Sequence, residues 1–558
     1  MNKLPIHIAM FNVRNIITLL LLIACDKCLC DMCKTCVCSS NTGRIIDCHD
    51  RNLGINEDWF NFDFYTLNQH RPLNELILSK NNITLLPTNE LRNLKHLKKL
   101  DLSQNQLDNM HSEVLRTLIN LEDLNYSHNL LWNFDISILE TSLVRLNLSC
   151  NRINNLEKNS ENTTILKVLD VSHNNITNLS FLEALLELEY LDLSFNRLTT
   201  LPANLLLHLE RLKILYVNNN QLLSLNLQNF PQSLLELYAG SNIIDSLSFQ
   251  SSPIRIFDIK NNRISKIHKN VTLLEKIISL NISSNFLSDF PDVSLKTLET
   301  LDLSYNELTL VPDSVCIKNF PSLKILRING GHLKDVKLWS ELRLEKFEVS
   351  FADAIERIEE ETFHMLRERK NGCINIIISN NIKLSTIHEN AFQHMNICSI
   401  DLSNNHFTYL PPKLFDVNIY NRNISNAEYL INLQGNPFIC DCSLQWMLSE
   451  LVPKLYVTKP SLLEDLRCAG PPPLSNKRIV HWYKWKGKVF CDDFSHFAER
   501  ITVNVASVSS NQVVTFKTSP GMIAVLVTTI ALLAILTIIG ILLTRKMIAK
   551  KRRVNRRF

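Results

Sequence analysis

The phrase LETLDLSYNELTLVP (Leu298–Pro312) decides the reading of the chain, because the chain repeats it: LEYLDLSFNRLTTLP runs from Leu188 to Pro202 and LKKLDLSQNQL from Leu97 to Leu107. Aligned on the asparagine of L-x-x-L-x-L-x-x-N, the copies place Asn81, Asn105, Asn129, Asn151, Asn174, Asn196, Asn220, Asn242, Asn262, Asn285 and Asn306 at intervals of 20 to 24 residues. Gly331 and Ala352 occupy the next two asparagine places, and Asn381, Asn405 and Asn436 resume the series. A period of this length marks a stack of units, none of which can bury its leucines alone.

Within one unit, Leu100 and Leu102 alternate with Lys99, Asp101 and Ser103, as a half-buried strand requires. The asparagine amide can bond backbone groups of its own turn and of the next, which predicts a buried polar ladder. The return segments carry inward aromatics at Phe363, Phe392 and Phe415. Together these predict an α/β solenoid, a horseshoe with a parallel sheet on its concave side.

The repeats, from about residue 73 to residue 436, resemble the leucine-rich repeats of extracellular animal proteins. The flanks strengthen that resemblance: Cys33, Cys36, Cys38 and Cys48 precede the repeats, and Cys440, Cys442, Cys468 and Cys491 follow them within NPFICDCSLQWM and its continuation. These are similar to the family's cysteine-rich caps, for which the resemblance implies the pairs Cys33–Cys38, Cys36–Cys48, Cys440–Cys468 and Cys442–Cys491. Spacing alone leaves three pairings open for each set of four. Cys373 fills a first-leucine slot and is expected to be buried; Cys398 is one residue out of register and is expected to face away from it. With Cys150 and Cys316, these two are expected to be free thiols, a loop-crossing disulfide being the alternative.

Composition sets the topology. Lys3 and Arg14 precede the apolar run Ile16–Ala24, a pattern of secretory signals, so residues 1–30 are read as a signal peptide. Residues 31–72 form the N-terminal cap, 73–436 about fifteen repeats that are irregular over 330–381, 437–495 the C-terminal cap and 496–520 a polar stalk. Gly521–Thr544 holds 24 residues without a charge, enough for one transmembrane helix. The tail 545–558 carries eight Lys or Arg and no acid, so the formal net charge of +4 conceals about −4 for the remainder. That distribution argues against nucleic-acid binding, and basic clusters stay cytoplasmic. The expectation is a single-pass type I protein of the plasma membrane with its repeats outside the cell.

The polar member of each L-x-L points into the concave face. Asp192, Tyr216 and Tyr238 occupy that column and Tyr190 the neighbouring one, so these four residues are the candidate ligand-binding site, tyrosine being enriched in protein interfaces. Nine N-glycosylation sequons lie at Asn82, Asn125, Asn147, Asn162, Asn175, Asn178, Asn270, Asn281 and Asn423. Glycans on Asn125 and Asn147 would push the usable surface toward the tyrosine-bearing coils. The segment 330–381, with two ladder asparagines missing, is expected to lose local order or to protrude. Lys477–Lys488, basic and interleaved with Trp482, Tyr483 and Trp485, is a candidate contact for sulfated glycan or lipid; the alternative is aromatics packing the cap under solvated lysines.

No H-E-x-x-H, G-x-S-x-G, phosphate loop or dinucleotide fingerprint occurs, so neither an enzyme nor a cofactor is expected. The chain resembles insect connectin-, capricious- and chaoptin-type adhesion proteins and Toll-like ectodomains. The resemblance implies a cell-surface recognition protein that binds a protein ligand or a homophilic partner through its concave face. A Toll-like co-receptor or decoy without a signalling domain and a matrix-organising membrane glycoprotein are the alternatives.

Overall fold

Leucines at strand spacing and asparagines at turn spacing do build a coil per repeat. The computed structural model describes residues 35–39, 45–55, 72–86, 91–109, 112–136, 142–157, 164–369, 372–415, 430–484 and 489–491. The signal, stalk, membrane-span and tail readings, Cys33, Asn162, Asn423 and residues 485–488 lie outside them. No helix among the described residues is long and apolar enough to cross a membrane.

One sheet of eighteen short strands runs through the described chain. It starts as an antiparallel hairpin, Val37–Ser39 with Ile45–Asp47, tied by the Cys36–Cys48 disulfide. Cys38 is also disulfide-bonded. The second strand then pairs in parallel with Glu75–Ile77, and every later coil adds one parallel strand. The central leucine of each strand stacks on its neighbour: Leu169, Leu191, Leu215 and Leu237 are successive register partners. Leu100, Leu191 and Leu301 are each at most 1% exposed, so the row continues along the solenoid.

The asparagine ladder closes each turn. Asn105 donates from Nδ2 to the carbonyls of Leu78, Leu102 and Ser103 at 2.9–3.1 Å. Its Oδ1 accepts from the amides of Asn81 and Ile83, both at 3.0 Å. The same pattern recurs at Asn196 and Asn242. Buried backbone groups left unpaired would cost about 1–3 kcal/mol each, so each amide is worth several bonds to its coil. The residue just before each asparagine takes the left-handed conformation, among them Gln104, His128, Phe195 and Tyr305.

On the opposite side the return segments form short helices, such as Ala203–Leu207, and two-stranded pairs, such as Ser224–Asn226 with Ser246–Ser248. Phe363, Phe392 and Phe415 are all at most 3% exposed. Phe363 stacks on Phe392 with centroids 5.6 Å apart and meets Phe347 edge-on at 6.0 Å.

Two expectations are corrected. The segment that loses its asparagines stays in the stack: Lys346–Glu348 pairs with Ile325–Arg327 on one side and Asn375–Ile377 on the other. Other bonds replace the ladder. Ser350 Oγ lies 2.9 Å from Ser379 Oγ, the Ser350 amide donates to Asn329 Oδ1, and the Ala352 amide donates to Asn381 Oδ1. At Gly331, φ is +74°, and an added Cβ would sit 2.5 Å from the Asn306 carbonyl oxygen, so only glycine lets the turn close onto its predecessor. The acidic run before Phe363 is a regular return, Arg357–Ile358 pairing with Thr386–Ile387.

Cys373 and Cys398 are bonded to each other, with Cα atoms 5.1 Å apart, and are not free thiols. The register explains it. Ile374 pairs with Ile397 and Asn375 with Ser399, so Cys398 is the extra residue of a β-bulge. Ile374 fills the interior slot, both cysteines are displaced to the surface, and their side chains meet. Cys150 and Cys316 are half-buried and free. A peptide map under non-reducing conditions is expected to join Cys373 to Cys398. Replacing both with serine is expected to cost about 2–4 kcal/mol in denaturant unfolding.

The far end closes through Cys440–Cys468 and Cys442–Cys491. Leu444, Met447, Leu448 and Leu455 cover the last coil, and Trp446 Nε1 donates to the Leu410 carbonyl at 3.2 Å.

Candidate concave binding surface

Parallel pairing without register slip carries every other strand residue to the same face, and three of the four candidate residues meet as a consequence. Asp192 faces Tyr216, and Tyr216 faces Tyr238, across adjacent strands. The Tyr216 and Tyr238 rings stack with centroids 4.4 Å apart and planes 5° from parallel. Tyr190 lies one column over, its ring tilted 48° at 5.6 Å from Tyr216. Tyr238 donates its hydroxyl to Glu236 Oε2 at 2.9 Å, which fixes one end of the stack. All three rings are half-buried. Burial pushes the Tyr190, Tyr216 and Tyr238 hydroxyls above the usual phenol range, so the surface carries neutral phenols at physiological pH.

Asp192 is held by its own turn, Oδ1 accepting from the Ser194 amide at 2.8 Å and from Ser194 Oγ at 2.5 Å. Burial, and to a lesser degree the like charge of Asp170, raises its carboxyl above the usual range despite those bonds.

Repeat spacing identifies the tyrosine column but not its surroundings. Val168, Ile214 and Ile256 contribute half-buried apolar side chains to the Tyr190 column. On the adjoining edge, His173 stacks on Phe195, with centroids 3.9 Å apart and planes 11° from parallel, and Phe195 is 46% exposed. Both occupy the left-handed position before a ladder asparagine, and the recurrence of that position 22 residues apart was the signal that could have paired them.

The sequons divide the face. Asn125 and Asn147 are direct partners on adjacent strands, and Asn281 sits in the same column six coils beyond Asn147. At about 4.8 Å per strand, the stretch between Asn147 and Asn281 measures roughly 30 Å, and the tyrosines lie inside it. Asn82, Asn175, Asn178 and Asn270 fall outside the sheet strands.

The basic stretch of the C-terminal cap is partly engaged within the fold. Ile479, Val489 and Phe490 are buried. Tyr456 and Tyr483 pack at 4.6 Å, with Lys484 Nζ 5.7 and 5.6 Å from the two ring centres. Among the described residues, no group of three or more His, Cys, Asp or Glu is placed to hold a metal ion.

Comparison with known proteins agrees with this architecture. Models described as leucine-rich repeat, two copies of the repeat, and a single repeat match residues 71–131, 166–206 and 297–317. The chain is 30% identical over 128 residues to leucine-rich repeat-containing G-protein coupled receptor 5 of Xenopus tropicalis; that match spans 22% of this chain and 13% of the receptor. Among solved structures, an LRR protein of Leptospira interrogans superposes with a TM-score of 0.50 at 22% identity, over 71% of this chain and 91% of that one. The functional domain of InlJ from Listeria monocytogenes gives a TM-score of 0.40 at 17% identity, over 71% and 72%. The described chain is a leucine-rich repeat protein, a disulfide-closed solenoid of stacked parallel strands suited to protein–protein interaction.

Proposed function

We propose that this is a cell-surface recognition protein that binds a protein ligand through the tyrosine-bearing window of its concave sheet, as an adhesion molecule or a receptor subunit. The observation that carries the reading is the contiguous Tyr190–Tyr216–Tyr238 surface, half-buried on three adjacent strands of the parallel sheet. Stacked tyrosines supply large contact area at little cost in side-chain entropy. The sequons bracket this window and leave it open. Extracellular placement is supported by the disulfides, which persist in oxidising compartments, and by the N-terminal apolar run. A single span at Gly521–Thr544 would anchor the chain in the plasma membrane.

Cells expressing the full chain are expected to aggregate with one another or to capture a partner cell. The double substitution Tyr216→Ala with Tyr238→Ala is expected to weaken that binding by roughly 100-fold, the scale of a central aromatic hot spot. Unchanged binding by a variant that reaches the surface in normal amount would remove the window from the account.

A further inference from the structure

The window is chemically uneven, and the unevenness specifies what fits it. Its floor is apolar and aromatic apart from Glu236, which accepts from the Tyr238 hydroxyl, and at one end Asp170 and Asp192 face each other across adjacent strands. Asp170 is held as Asp192 is, Oδ1 accepting from the Ser172 amide at 3.0 Å and from Ser172 Oγ at 2.7 Å. Elsewhere on the sheet and its margin, several acids are matched by cations; Asp101, Asp302 and Asp401 of the same column form no Lys or Arg ion pair among the described residues, but none of them has an acid as its partner in that column, as Asp170 and Asp192 do. Glu189 lies between Lys167 and Lys213, Asp258 is 3.6 Å from Lys260, and Glu348 meets Lys346 and Arg327. Among the described residues, no Lys or Arg forms an ion pair with Asp170 or Asp192. Two acids on adjacent strands, whose backbones lie about 4.8 Å apart, are therefore without a Lys or Arg ion pair, and Asp192 is the register partner of Tyr216.

We propose that the window receives a protein segment presenting an arginine or lysine among apolar residues, its cationic head over the Tyr216 ring and against the carboxylates of Asp170 and Asp192, its apolar flanks along Ile214 and Ile256. The proposal rests on the reading of the concave window as the binding surface. Charge complementarity selects the occupant: an acidic or neutral segment would leave the carboxylate pair desolvated and uncompensated. A cation satisfies both acids and gains the attraction of an aromatic face at the same position. Arginine suits the site better than lysine because its planar head can stack on the ring and still bond two carboxylates.

The test is a random-peptide phage selection on the full chain purified in detergent, with D170N/D192N and Y216A/Y238A prepared in parallel. Asparagine preserves the side-chain oxygen that closes each turn, as Asn125 and Asn147 do in the same column; because each substitution also creates an N-x-S sequon with Ser172 or Ser194, parent and variants are expressed with N-glycosylation blocked, so that only charge is removed. Equal thermal midpoints for variant and parent confirm intact folding. The selected peptides are expected to carry Arg or Lys flanked by apolar residues and to bind D170N/D192N at least roughly tenfold more weakly. Peptides without cationic enrichment, or bound equally by D170N/D192N, would overturn the proposal. If those peptides are nonetheless lost on Y216A/Y238A, the window reading stands without its charge preference. Insensitivity to both variants, or a selection that yields no specific clone, counts against both.

Discussion

Asn196→Ala is expected to destabilise the solenoid by about 3–5 kcal/mol, more than most single substitutions in a fold of this kind. The side chain makes four bonds inside the coil: Nδ2 donates to the carbonyls of Val171, Leu193 and Ser194 at 3.0–3.2 Å, and Oδ1 accepts from the Ile176 amide at 2.9 Å. Alanine makes none of them. The residue is 7% exposed, so water is poorly placed to replace them. At about 1–3 kcal/mol for each buried group deprived of its partner, two or three uncompensated groups account for the expected loss. Urea unfolding followed by circular dichroism would measure it. Arg197→Ala, one position further on and exposed, is the control and is expected to shift stability by no more than about 0.5 kcal/mol. Equal effects at the two positions would mean that the ladder does not hold the coils.

Phe363→Ala is expected to cost about 3–5 kcal/mol by a different route. The ring is 1% exposed and joins Phe347, on the sheet strand of its own coil, to Phe392, on the return segment of the next. Removing it opens a cavity that neighbouring coils cannot fill without leaving register, because each is fixed to the next by its strand pairing. The loss should concentrate where two ladder asparagines are absent. Hydrogen exchange is therefore expected to accelerate in the strands Lys346–Glu348 and Ile374–Ile377 before it does near Leu191. The milder substitution Phe363→Leu should cost less than Phe363→Ala, since most of the buried volume is kept.

The repeat made the fold legible. Leucines two apart gave the strand, the asparagine gave the turn, and the constant interval gave the stack, so the buried row from Leu100 to Leu301 follows from the sequence alone. The candidate tyrosines were legible for the same reason: strands paired without slip carry residues 22 to 24 apart to adjacent points. Where registers slip or ladders change partner, the pattern misleads. A single inserted residue at Cys398 reversed the expected direction of that side chain and joined it to Cys373. At Gly331 and Ala352 the missing asparagines read as disorder, but serine and asparagine side chains of neighbouring coils supply substitute bonds across distances that no local spacing encodes. The stacking of His173 on Phe195 and the lack of a Lys or Arg partner for Asp170 and Asp192 among the described residues depend on side-chain directions, which periodicity does not set.

The account is tested most directly by an experimental structure of the chain expressed with its disulfides intact. It predicts Leu100, Leu191 and Leu301 in one buried row, with Tyr216 stacked on Tyr238 on the open concave face between Asn147 and Asn281. Leucines divided between separate cores, or tyrosine rings turned into the interior, would contradict it.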